Sequence, residues 1–210
     1  MNSYDKNVII KRYTDRFKKF GIDIKTLASG DTSRQKIRYD VFLRIGELNG
    51  ASLLDVGCGL GDFYQYLLDK GIKLEYTGID ICPAFIDVCK QRFPNGTFLV
   101  ADIQTDTLGK HYDYIISSQT YNNKLEKEDN MTVVHDVLKK CYSVCKKALA
   151  FDFITSYVDY KEERLYYYSP EKIFTFCKQI TKRVALLHDY PLYEFAIFLY
   201  KDFKGWRADG

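Results

Sequence analysis

Three aspartates and three glycines have the types and spacing to act together on a ligand. Asp55 lies near the end of an apolar run, Ser52–Val56, and glycines follow at 57, 59 and 61. Glycine has no Cβ, so a bound molecule can approach the backbone closely there. Strand, glycine turn and helix form the ligand-binding corner of an open α/β sheet. The dinucleotide pattern G-x-G-x-x-G sets a pyrophosphate on the helix N-terminus. Here the third glycine comes one position early and Asp62 stands in its place. Asp55 would repel a pyrophosphate and attract a cation. Asp80 follows Gly57 by 23 positions, at the end of a second strand-like run. An acidic residue roughly 20 positions on takes the hydroxyls of a ribose, through charge-assisted hydrogen bonds. Asp102 ends a third run of this kind, and Ser118 follows a fourth.

S-adenosylmethionine offers an ammonium and a sulfonium where a dinucleotide offers phosphates, so the charge sign favours it. The stretch from Asp55 to Gly61 resembles the first motif of class I S-adenosylmethionine-dependent methyltransferases, E/D-x-G-x-G-x-G. Gly78-Ile79-Asp80 is similar to that family's second signature, and Ala101-Asp102-Ile103 to its adenine-binding one. The resemblance covers roughly residues 52–203. It implies S-adenosyl-L-methionine as methyl donor and S-adenosyl-L-homocysteine as product. It also implies a cradle of Asp55, Gly57, Cys58, Gly59 and Gly61, with Asp80 on the ribose and Ile81 beside it. Asp102 would accept the adenine amino hydrogen and Ile103 would cover the ring. Ser118 falls at the family's catalytic-edge position. Arg38 resembles an arginine that some small-molecule members set against the methionine carboxylate; an exposed helix arginine is the other reading. Residues 118–123 lack the Asn/Asp-Pro-Pro-Tyr signature of base and glutamine amide methylation. Cys82-Pro83 does not stand where cytosine-C5 enzymes keep their nucleophile.

The elements that must position these residues follow from hydrophobic periodicity. Residues 7–20 place Ile9, Tyr13, Phe17 and Phe20 on one face of a helix, and 34–47 form a second. Strands are expected at 52–56, 75–79, 97–100, 112–117, 148–154, 184–187 and 193–200, with helices between. The last turn is short, so the final strand must return antiparallel. The fold class expected is α/β: a doubly wound, Rossmann-like sheet of seven strands, mostly parallel with an antiparallel last strand, plus an N-terminal helical cap. Residues 1–210 read as one domain, with the cap over 1–50 and the core over 51–204.

Methyl transfer needs the acceptor atom in line with the sulfonium–methyl bond, so positioning supplies much of the rate. An amine or hydroxyl acceptor can also need a base. His188, at the end of the sixth strand, is the base candidate, and its turn is expected to face the acceptor pocket opposite the N-terminal helices. A hairpin turn with capping groups is the equal alternative. Tyr121 and Asn122 are the other catalytic candidates. Tyr166, Tyr167 and Tyr168 read as a lid or as core. A formal charge of +3 with scattered basic pairs indicates no nucleic-acid partner. The six cysteines show no metal-ligand spacing. The N-terminus carries no apolar signal segment, and no run approaches the ~18 apolar residues of a membrane span. These features read as a cytoplasmic enzyme acting on a small-molecule methyl acceptor, with no metal and no membrane. An RNA or protein methyltransferase, or an inactive S-adenosylmethionine-binding protein, is the alternative.

Overall fold

The computed structural model describes residues 1–28 and 30–201. Its framework is a sheet of β1 (Ser52–Val56), β2 (Glu75–Asp80), β3 (Thr97–Val100), β4 (Tyr112–Ser117), β5 (Cys145–Ile154), β6 (Val184–Leu187) and β7 (Glu194–Tyr200). The order is β3-β2-β1-β4-β5-β7-β6. β1 pairs in parallel with β2 and β4, and β7 runs antiparallel to β5 and β6. The winding reverses between β1 and β4, and a crevice opens there beyond the carboxyl ends of the strands. The expected seven-stranded, mostly parallel sheet with a reversed last strand is what forms. The expected core end at 204 lies outside the described residues.

Every residue of β1 is buried, as a parallel strand covered on both faces requires. Successive side chains alternate faces. Leu53 therefore joins Tyr64, Phe98 and Phe198 on one side, and Leu54 joins Ile115, Val137 and Phe195 on the other. Helices α4 (Asp62–Asp69), α5 (Pro83–Arg92), α6 (Asn130–Val144) and α7 (Pro170–Ile180) cover the sheet. β5 starts earlier than expected, because Cys145 pairs with Tyr112 across an irregular step in the register.

The N-terminal cap differs in detail from expectation. It comprises α1 (Ser3–Phe20), a short α2 (Ile24–Leu27) that the periodicity does not reveal, and α3 (Thr32–Phe42). Asp23 and Asp31 accept backbone N–H bonds as N-caps of α2 and α3. The expected helix over 34–47 gives way to a 3₁₀ turn, Leu43–Ile45, and stops at Gly46. Gly46 has φ +145, and a Cβ there would lie 2.7 Å from the Tyr114 hydroxyl. α1 is tied down at both ends. The buried Asp5 carboxylate accepts backbone N–H bonds from Glu126, Lys127 and Glu128 at 2.8, 3.1 and 3.1 Å. Burial alone would raise the Asp5 carboxyl, but these bonds hold it below its ordinary value. Near the other end, Tyr13 and Phe17 meet the Phe85 ring edge-on. No helix among the described residues is long and apolar enough to cross a membrane.

Candidate active site

The crevice is a cavity with about 1270 Å³ of space between protein atoms, its mouth included. The floor is Asp55 to Gly59 at the end of β1. One wall holds Asp80, Ile81, Asp102 and Ile103, and the opposite wall holds Ser118, Gln119, Thr120 and Tyr121. Ile9, Ile10 and Tyr13 of α1 and Leu27 of α2 form the roof.

The turn after β1 folds as it does because of its glycines. Gly57 has φ +78, and a Cβ there would fall 2.2 Å from Thr120 Oγ1. The backbone of the turn is in this way pressed against the loop after β4, where Thr120 Oγ1 also donates to the Val56 carbonyl. Asp80 Oδ2 accepts from Gly59 N at 3.0 Å and Oδ1 from Cys82 N at 2.9 Å. Each carboxylate oxygen has two lone pairs, so capacity for two hydroxyls remains. Burial raises Asp80 to about 6, against the opposing backbone bonds. Burial likewise raises Asp55 to about 7, against the Tyr76 hydroxyl that donates to it. Asp102 Oδ1 takes the N–H of Gln104, while its buried Oδ2 makes no hydrogen bond although Lys6 Nζ is 3.1 Å away. The Lys6 ammonium compensates the charge of this oxygen, and a ligand amino group in the cavity would add the hydrogen bond it lacks. The donor set and the glycine cradle fit S-adenosylmethionine.

Of the residues expected at the site, Asp55, Gly57, Cys58, Gly59, Asp80, Ile81, Asp102, Ile103, Ser118 and Tyr121 line this one cavity. Three do not. Gly61 sits outside it as the left-handed N-cap of α4, where a Cβ would strike the Phe93 ring at 2.6 Å; it serves helix packing. Arg38 is neither at the cavity wall nor exposed. It is 4% exposed, and its Nε and Nη2 reach the two carboxylate oxygens of Glu194 at 2.6 and 2.7 Å. A guanidinium buried this deeply needs a carboxylate, and Glu194 holds it in a bidentate pair. His188 is exposed, beside the rings of Tyr157 and Phe195. It follows β6, the outermost strand, so the sheet order sets it far from β1. Its turn packs on the cap instead of facing the cavity: Asp189 pairs with Arg44, and Tyr190 joins the core face that holds Tyr39. Of the lid tyrosines only Tyr168 lines the cavity, its hydroxyl donating to the Tyr121 carbonyl at 2.7 Å. Burial pushes the Tyr121 phenol well above its ordinary value, so it stays protonated.

Sequence reasoning missed Gln119 and Asp152. Gln119 lines the cavity with φ +57, a conformation rare outside glycine. Asp152 lies behind it on β5, buried, and accepts from Gln119 N, Gln119 Nε2 and Ser118 Oγ at 2.6, 3.1 and 2.9 Å. Burial, then the Glu194 charge, raises its carboxyl, and Arg38 opposes the rise. A carboxylate set within the apolar run Leu149-Ala150-Phe151-Asp152-Phe153-Ile154 was itself a signal, since a buried charge needs partners.

Fold and cavity together define a nucleoside-binding α/β enzyme with its site at the sheet's switch point. A family model described as a methyltransferase domain matches residues 53–148. A Mycobacterium tuberculosis protein named as a putative methyltransferase, Rv1506c, is 35% identical over 158 residues, covering 71% of this chain and 93% of that protein. A malonyl-[acyl-carrier protein] O-methyltransferase of Anoxybacillus flavithermus is 40% identical over 119 residues, covering 56% of this chain and 43% of that one. Magnesium protoporphyrin IX methyltransferase from Synechocystis PCC 6803, solved with bound S-adenosylhomocysteine, shares the fold at a TM-score of 0.66. Identity is 16%, over 94% of this chain and 100% of that one. The chain belongs to the class I S-adenosylmethionine-dependent methyltransferases, and S-adenosyl-L-methionine is its methyl donor.

Proposed function

We infer that this enzyme methylates an O or N atom of a small-molecule metabolite. The observation that carries this reading is the roof: α1 and α2 lie over the cofactor crevice, so the acceptor has a pocket rather than an open groove. A folded RNA or a protein surface is served better by an exposed, basic groove. Bound S-adenosylmethionine supplies an electrophilic methyl group on a sulfonium. In this reading Asp80 holds the ribose hydroxyls, Ile81 and Ile103 flank the adenine, and Asp102 Oδ2 accepts its amino hydrogen. Asp55 and the backbone of Gly57 to Gly59 take the amino-acid end. Tyr13, Gln119, Tyr121 and Asn123 bound the space left for the acceptor. Tyr121, held protonated, donates or packs and does not act as base. The work of these side chains is alignment and the exclusion of water. The test is transfer from S-adenosylmethionine labelled on its methyl group, with a cell extract divided into small-molecule, RNA and protein fractions. Label in the small-molecule fraction is expected. Label in RNA or protein alone would replace this reading, and S-adenosylhomocysteine binding with no transfer anywhere would mark an inactive binder.

A further inference from the structure

Behind the cavity wall lies a line of buried charge that the cofactor does not use. Arg38 on α3 grips Glu194 on β7, and the charges of both bear on Asp152 on β5. Asp152 in turn holds the one non-glycine residue of the cavity wall with a left-handed backbone. Its Oδ1 accepts both the backbone N–H and the side-chain Nε2 of Gln119. At φ +57 a glutamine backbone is disfavoured, so it persists only where its surroundings hold it. The side-chain amide is fixed at its other end as well. Asn122 Oδ1 accepts from Ile154 N at 3.1 Å, so its Nδ2 faces Gln119 and donates to Oε1 at 2.9 Å. An oxygen that only accepts at one end and an amide that only donates at the other leave Gln119 a single orientation. One N–H of Nε2 remains uncommitted within this set of bonds, beside the loop where the methyl group must be delivered.

Resting on the small-molecule reading above, we propose that Asp152 is a positioning residue for methyl transfer, acting through Gln119, whose locked amide orients the methyl acceptor. Strain at a catalytic-edge loop then has a use: it fixes a polar group in advance, so that alignment is not lost to rotation when the acceptor enters. The buried Arg38–Glu194 pair sets Asp152 from behind and connects the cap to this loop.

The test uses the full chain, methyl-labelled S-adenosylmethionine, a small-molecule extract as acceptor source, and calorimetry with S-adenosylhomocysteine. Asp152→Ala and Gln119→Ala are each expected to lower the rate of label transfer by ~10²-fold at saturating S-adenosylmethionine, the scale of a small misplacement. Affinity for S-adenosylhomocysteine should stay within ~3-fold, since the loss is confined to the reacting complex. The double variant should be no slower than Gln119→Ala alone, because one residue acts through the other. Asp152→Asn should keep most of the rate: an amide oxygen can take the Oδ1 place, and its nitrogen can donate to Ser118 Oγ. Full rate in Gln119→Ala overturns the proposal, and this variant keeps the test open should Asp152→Ala fold poorly. Multiplied losses in the double variant, or cofactor affinity falling in step with the transfer rate, overturn it too. A wild-type chain that binds S-adenosylhomocysteine but labels no small molecule defeats the functional reading itself, an outcome that needs no variant to recognise.

Discussion

Asp55 is buried and Asp80 half-buried, and the surrounding protein raises their carboxyls to about 7 and about 6. Each keeps its proton at pH values where the unfolded chain has lost it. Without ligand, their contribution to stability therefore falls as pH rises from ~4 to ~7. A ligand that donates hydroxyl hydrogens or brings positive charge favours the ionised form and reverses the sign. Affinity for S-adenosylhomocysteine should accordingly rise between about pH 5.5 and about pH 7.5 and level off above, with proton release on binding. Calorimetry in two buffers of different ionisation heat reads both quantities. Asp80→Ala should weaken binding by ~1–3 kcal/mol and flatten part of that profile. A profile unchanged by the substitution would take Asp80 out of the cofactor contact. That Asp55, Gly57, Gly59, Asp80 and Asp102 share one cavity was legible in the sequence for a plain reason. They stand at or just after the ends of successive strands, and their order and spacing resemble known motifs.

Elements are tied by bonds that local spacing cannot announce. Arg38 and Glu194 are 156 positions apart, and neither has a flanking pattern that points to the other. Arg38 therefore suggested the cofactor, and the β6–β7 turn suggested the acceptor pocket, whereas Arg38 pairs α3 with β7 and the turn packs on the cap through Asp189 and Tyr190. The strands themselves were easier, because a buried sheet imposes its apolar runs directly. α2 escaped notice because four residues carry no periodicity, and its cap, Asp23, reads equally as a turn. The anchoring pair has a measurable consequence. Glu194→Ala takes from the buried guanidinium its bidentate partner, and breaking such a pair costs about 3–5 kcal/mol. Replacing both partners, as Arg38→Met with Glu194→Leu, should recover much of that loss, since the buried pair contributes little net stability over apolar side chains of like volume. Urea midpoints at constant slope report both variants. A loss under ~1 kcal/mol in Glu194→Ala would show that the pair is not what holds α3 down.

At the scale of the whole molecule, the cavity is assembled where the two halves of the sheet's winding meet and is closed from above by the N-terminal cap. Ile9, Ile10 and Tyr13 of α1 share it with the β1 turn and with the loop after β4. The same helix is pinned to residues 126–128 through Asp5. A cofactor seated on the β1 turn would thus touch roof and loop at once, and must pass one of them to enter. The roof is tied by Asp5, by Arg12 and Tyr13 at Asn123 and by Lys6 at Asp102, and the loop by Asp152, Asn122 and Thr120. α7 and β6, by contrast, contribute nothing to the cavity wall among the described residues. Hydrogen exchange should separate these regions. On saturation with S-adenosylhomocysteine, amides of α1 and of residues 118–128 should slow by an order of magnitude or more, because ligand contact raises the free energy of the local opening that exposes them. Amides of α7 and β6 should change only as far as global stability does. If instead α1 exchanges at the same rate with and without ligand, the cap does not close over the cofactor. The acceptor site would then have to be sought outside the roofed cavity.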